Sequence, residues 1–169
     1  MKNDISAIGN ALVDTVFKVE QSFIAELGLE IDQMTLSSAE EHAPIIERLV
    51  ASGADTVSDC GGSATNSLVA AASFGAKCFH ICKVSEDQDG LRYLKSLKEA
   101  GVNHKGNTAS ADSVPTGKCL ILVTPDAKRT MTTALNVSSL MDESDLDLDQ
   151  IANSKIFYIE GYMVTSEEN

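Results

Sequence analysis

The chain has 169 residues, 43% of them hydrophobic, with a mean hydropathy of −0.02, which leaves room for one domain with a real core and excludes a disordered chain. Thirteen basic against 25 acidic residues give a net charge of −12, a field that repels phosphate backbones and anionic lipid and argues against nucleic-acid and membrane partners. The opening residues carry Asp4 and Asp14 and no long apolar run, so neither a secretory leader nor a membrane span is expected, and the cytoplasm is the expected compartment.

In chain order, Asp4–Gly9 reads as a strand. Asn10–Val19 continues extended, with Asn10, Leu12, Asp14 and Val16 on one face and Ala11, Val13, Thr15 and Phe17 on the other. Gln21–Leu27 reads as a short amphipathic helix stopped by Gly28. Ser38-x-x-Glu41 is a capping box for a helix to about Ser52, although Pro44 sits deep for that start and favours a later one. Thr56–Asp59 is a short strand, and Ala64–Phe74 an alanine-rich helix ended by Gly75. Lys77–Val84 is a strand. Asp87 or Asp89 opens a helix in which Leu91, Leu94 and Leu97 recur at turn spacing, and Gly101 closes it. Thr116–Thr124 and Arg129–Thr133 form a hairpin around Pro125-Asp126. Asp142–Ala152 is an acidic loop and helix, and Lys155–Glu160 a last strand. Strands alternate with helices in the middle, which predicts an α/β fold with parallel βαβ units. The helix-free pair, Asn10–Val19 and Thr116–Thr133, predicts a small side sheet or lid.

The four cysteines form no C-x-x-C pair. Cys78-Phe-His80-Ile-Cys82 is the tempting piece. In a strand those three side chains share a face but spread over about 13 Å at ~3.3 Å per residue. One zinc needs its ligands about 2.0–2.3 Å from a single centre, so the expected state is a buried strand with reduced, apolar thiols.

The stretch Cys60-Gly-Gly-Ser-Ala-Thr-Asn66 puts two glycines at the mouth of a helix, with Asn66 one turn in. Glycines at such a turn serve positive φ and tight packing as readily as the approach of a ligand. The stretch is not a dinucleotide fingerprint, because the third glycine is absent. Nor is Gly117-Lys118 a Walker A loop, since Cys119 follows and the upstream glycine is missing. What remains is a turn where backbone N–H groups, a helix N-terminus and Asn66 converge, a set able to hydrogen-bond a polyol.

Several pieces together resemble one family. They are Gly61-Gly62-Ser-Ala-Thr-Asn66-Ser67 with Gly75 nine residues after Asn66, Gly9-Asn10-Ala-Leu-Val-Asp14, Asp87-x-x-Gly90 followed by Ala100-Gly101-Val102, Pro115-Thr116-Gly117, Arg129-Thr-Met131 and Glu160-Gly161-Tyr162. Over essentially the whole chain they resemble the PfkB (ribokinase-like) carbohydrate kinases. Ser63, where ribokinases usually carry lysine, and Asp32-Gln33-Met34-Thr35-Leu36 make the likeness strongest to the family's adenosine kinases. Ser85 departs from the glycine that many members carry after the central strand.

The resemblance implies a doubly wound, mostly parallel sheet with a small β lid built from segments about 10–36 and 114–134. It implies phosphoryl transfer from ATP to a primary hydroxyl, the 5′-hydroxyl of a nucleoside, with ribokinase- or fructokinase-type sugars as the alternative acceptors. A non-catalytic small-molecule binding module is a further alternative. On the same basis Asp14 accepts bonds from ribose hydroxyls, assisted by Asn10 and Asn66, and Gly61 and Gly62 let backbone N–H groups reach the sugar. Met34, Cys119, Met131 and Tyr162 wall the base, and Arg129 approaches the transferred phosphate. Read from the residues alone, Asp14 also fits a strand acid that bonds backbone, Arg129 a hairpin flank, and Met34, Met131 and Cys119 core.

Family chains run to roughly twice this length. Their second half carries a G-A-G-D anion hole, an aspartate general base, the ATP pocket and a monovalent-cation loop. No G-A-G-D occurs in the 169 residues. The expectation is therefore an acceptor-binding half, inactive alone, of a kinase that uses ATP, Mg2+ and a monovalent cation such as K+. A homodimer through lid strands or an exposed sheet edge is its expected assembly.

Overall fold

A computed structural model describes residues 2–54, 56–110 and 114–164. Its elements are β1 (Asn3–Ile8), β2 (Leu12–Lys18), α1 (Gln21–Glu26), β3 (Met34–Leu36), α2 (Ala39–Ala51), β4 (Thr56–Gly61), α3 (Ser63–Ser73), β5 (Cys78–Ser85), α4 (Gln88–Glu99), β6 (Val102–Ala109), β7 (Gly117–Val123), β8 (Arg129–Ala134), α5 (Leu148–Ala152) and β9 (Ser154–Ile159).

Four strands form a parallel sheet in the order β6-β5-β1-β9. β5, CFHICKVS, is buried at every position but Lys83, the pattern of a parallel strand covered on both faces. Ala7, Leu68, Cys82, Tyr93 and Leu97 pack α3 and α4 onto one face. Ile8, Phe79, Ile81 and Met141 hold the other face against the segment that includes α5. The sheet is doubly wound as the resemblance implied. The chain builds outward from β1 through β5 to β6, then returns to the far side of β1 as β9. Strand order therefore reverses between β1 and β9, and such a switch point opens a crevice at the carboxyl ends of the strands.

A second sheet runs β3-β8-β7-β2-β4. β2 lies parallel to β7 and antiparallel to β4, and β7 and β8 form the hairpin. Phe17, Ile24, Leu49, Leu120 and Leu122 bury one face beneath α1 and α2. The other face carries two cross-strand rows: Asp59, Asp14, Cys119 and Thr133, then Val57, Val16, Ile121, Met131 and Met34.

Three local readings change. α2 begins at Ala39, where the capping box places it, and not later. Ser38 Oγ accepts from Glu41 N–H at 3.2 Å and Glu41 Oε2 accepts from Ser38 N–H at 2.7 Å. Pro44 then sits inside the helix, where it gives up only the bond to the Glu40 carbonyl. β4 belongs to the second sheet and not to a parallel βαβ unit, because TVSDC is mostly exposed and lacks the apolar run that a doubly covered strand needs. β6, VNHKGNTA, and the three-residue β3 are strands that polar sequence and brevity had hidden.

Cys78, His80 and Cys82 are wholly buried along β5. His80 is spent on the fold: Nδ1 lies 3.3 Å from the Ala7 carbonyl, and Nε2 lies 3.3 Å from both Thr65 Oγ1 and Tyr93 Oη. Burial pushes its pKa down to about 4 and that of Cys82 up to about 12. Among the described residues no helix is long and apolar enough to cross a membrane.

Candidate functional site

The site starts at the switch point. β1 leads into Gly9-Asn10, β9 leads into Glu160, and α3 starts between them. Glu160 is 2% exposed. Its Oε1 accepts the Asn10 backbone N–H at 2.6 Å and Asn10 Nδ2 at 2.9 Å. Its Oε2 accepts Ser63 Oγ at 2.7 Å and Ala64 N–H at 3.0 Å. One carboxylate thus staples β1 to the first turn of α3, where the helix dipole also favours negative charge. Gly9 makes this seat: a Cβ there would lie 2.7 Å from Glu160 Oε2 and 2.5 Å from the Ala64 Cβ.

The paired glycines answer to two groups of the chain itself. A Cβ at Gly61 would lie 2.1 Å from the Asp14 Cγ. A Cβ at Gly62, whose φ of +97° already favours glycine, would lie 2.4 Å from the Asn10 carbonyl oxygen. The Asp14 side chain and the Asn10 main chain therefore both come close to these glycines.

β2 aims Asp14 into the space between the sheets. No group among the described residues hydrogen-bonds or ion-pairs with its carboxylate. Burial pushes its pKa up to about 6, the Arg129 guanidinium pulls it down in part, and the Asp59 charge adds to the rise. Arg129 itself is exposed at the start of β8.

A cavity of about 440 Å³ opens in front of these groups. Its polar end is Asn10, Asp14, Gly62, Ser63, Asn66 and Glu160, with Arg129 at the rim. Its apolar wall is Leu12, Met34, Leu36, Cys119, Ile121 and Met131, with Tyr162. Asn10, Asp14, Gly62, Asn66, Met34, Cys119, Arg129, Met131 and Tyr162 thus converge on one space. Gly61 stands behind Asp14 and not on the cavity wall. Ser63, Glu160, Leu12, Leu36, Ile121, Thr133 and Leu135 are the additions. Strand alternation through Asp14 and Cys119 points to Leu12 and Ile121. Glu160 stands in the resembling piece Glu160-Gly161-Tyr162, and an acid closing an apolar strand is a second signal for it. Burial pushes the Cys119 thiol up to about 11, so it acts as an apolar wall and not as a nucleophile.

A larger hollow of about 510 Å³ lies at the opposite ends of the strands, beside Asn3, Phe79, His104 and Gln150. There Asn3 and Gln150 bond each other at 2.8 Å, and no carboxylate stands among the described lining residues. The amphipathic cavity at the switch point is the better site despite its smaller volume.

Known proteins match this architecture. The adenosine kinase of Sinorhizobium meliloti superposes with a TM-score of 0.87 at 30% identity, over 96% of this chain and 48% of that one. A probable sugar kinase of Rhizobium etli gives a TM-score of 0.88 at 28% identity, with the same shares covered. The ribokinase of Dictyostelium discoideum is 29% identical over 106 residues, 62% of this chain and 33% of that protein. The chain spans about half or less of these relatives. The profile of the pfkB family carbohydrate kinases matches residues 24–169. The chain belongs to the pfkB family of carbohydrate kinases.

Proposed function

We propose that this chain supplies the acceptor site of a kinase that transfers a phosphoryl group from ATP to the 5′-hydroxyl of an adenosine-like nucleoside. The observation that carries the reading is the Asp14 carboxylate, half-buried and without a bonding partner among the described residues, facing a cavity with one polar end and one apolar wall. Hydroxyls of a ribose satisfy Asp14, Asn10 and Asn66, and a planar base covers Met34, Ile121, Met131 and Tyr162. Arg129 offers positive charge at the rim, where transferred phosphoryl oxygens gather it.

Among the described residues no three His, Cys, Asp or Glu side chains gather into a metal site. ATP, Mg2+ and a monovalent cation such as K+ are assigned to residues outside these 169, together with the general base. Phosphoryl transfer needs both substrates positioned and charge neutralised, so the isolated chain binds the acceptor without turning it over.

The likeness to a ribokinase favours a second acceptor class, a free pentose or hexose. A bare sugar leaves the apolar wall uncovered, which is why the nucleoside stands first. An acceptor panel run with ATP on the full encoded protein decides. Adenosine-like nucleosides turning over best supports the reading, sugars turning over best replaces it, and no turnover with any acceptor supports a non-catalytic binding module.

A further inference from the structure

Glu160 lines the cavity, yet it has nothing left to offer a ligand. A carboxylate presents about four lone-pair sites, and four donors already point at this one: the Asn10 N–H, Asn10 Nδ2, Ser63 Oγ and the Ala64 N–H. An ionised carboxylate only accepts. Asn10 must therefore turn its Nδ2 toward Glu160, and the atom it keeps for the cavity is Oδ1. No described residue donates to that oxygen.

We propose that Glu160 is a positioning residue that fixes the hydrogen-bond polarity of the acceptor pocket: by holding Asn10 Nδ2 it presents Asn10 Oδ1, so that Asn10 and Asp14 together read hydroxyl donors. The proposal rests on the acceptor-site reading above. It assigns Glu160 no contact with the ligand. It also gives Gly9 a purpose, since the clamp cannot close over a side chain at that position.

The experiment has an arm that needs no ligand. Selective 15N labelling of asparagine in the wild-type protein reads the Asn10 side-chain amide. The clamp predicts one Nδ2 proton held against solvent exchange. Glu160→Ala should lose that protection and weaken acceptor binding roughly tenfold or more, the worth of a charge-assisted bond. Formate added at millimolar levels should enter the vacated seat, restore the protected proton and recover most of the affinity. Glu160→Leu, which fills the seat with methyl groups, should show no recovery. A wild-type Asn10 amide that exchanges freely overturns the proposal. So does a folded Glu160→Ala protein whose Kd stays within about twofold of wild type. If wild type binds no nucleoside or sugar, the acceptor reading fails while a protected Asn10 amide still upholds the clamp. If Glu160→Ala does not fold, the wild-type amide alone decides.

Discussion

Two acids face the same cavity from different sheets. Glu160, at the end of the parallel sheet, takes four donors and is nearly sealed from solvent. Asp14, on the second sheet, has no bonding partner among the described residues, and burial raises its pKa to about 6. A buried carboxylate without donors is costly, so a fold that keeps one has left its satisfaction to something else. On the proposed reading, the saturated acid builds the site and the unsaturated one is left for a ligand. On that reading the parallel sheet supplies the floor of the site, and the second sheet the group that reads what lands there.

The sharpest way to break this contrast is to remove the saturated acid. Glu160→Ala strands buried donors on Asn10 and α3, and unfolding free energy should fall by roughly 3–5 kcal/mol. Denaturant titration measures it. A loss under about 1 kcal/mol would make the four bonds decorative.

Crowding the unsaturated acid comes next. Gly61→Ala puts a Cβ where the Asp14 carboxyl now lies. Stability should drop by about 1–3 kcal/mol, and acceptor affinity should drop more than stability explains. Unchanged affinity in the folded variant would detach Gly61 from Asp14.

pH then separates the two acids. Folding raises the Asp14 pKa from 3.8 to about 6, so the folded state holds that proton more tightly than the unfolded state. Its contribution is fully present below pH ~4 and is lost as pH climbs through ~6. Asp14→Asn should therefore stabilise the unliganded protein by about 1–2 kcal/mol at pH 7.5, allowing for solvent screening, and by almost nothing at pH 4. Acceptor binding by wild type should run the opposite way and weaken below pH ~6. Thermal melts across pH 4–8 check the first claim and isothermal titration the second.

The smallest effect on folding belongs to the open edge of β9, the strand that carries Glu160 at its end. Ile156 and Ile159 are 58% and 51% exposed there, with Phe157 between them. An unpaired edge with apolar side chains templates association. Ile156→Lys should change stability by within about 0.5 kcal/mol yet reduce self-association of the isolated chain in light scattering. A clean monomer at high concentration before any substitution would remove this role from β9.

Much of this contrast is legible in the sequence, but not evenly. Alternation along Asn10–Val19 puts Asn10, Leu12, Asp14 and Val16 on one face, which is the face the cavity uses. The alanine-rich helix after Gly62 and the apolar run of β5 announce themselves by period and composition. β6 does not, because polar residues at a sheet edge are satisfied through a neighbour far away in sequence, and β4 reads as a strand without showing which sheet it joins. Glu160 is marked in the sequence by the piece Glu160-Gly161-Tyr162, but its role is not, because Asn10, Ser63 and Ala64 are brought to it from 96–150 residues away. The paired glycines were legible as a place of close approach, and only the fold shows that Asp14 and Asn10 are what approach.

The central claim is that Asp14 is kept unpaired for an acceptor hydroxyl. It is tested by measuring the melting temperature and the acceptor kinetics of one Asp14→Ala preparation of the full encoded protein. Two lost charge-assisted bonds predict a 10- to 1000-fold fall in acceptor kcat/KM, with the melting temperature unchanged or raised at pH 7.5. An early melt with normal turnover would make Asp14 a strand residue and contradict the account.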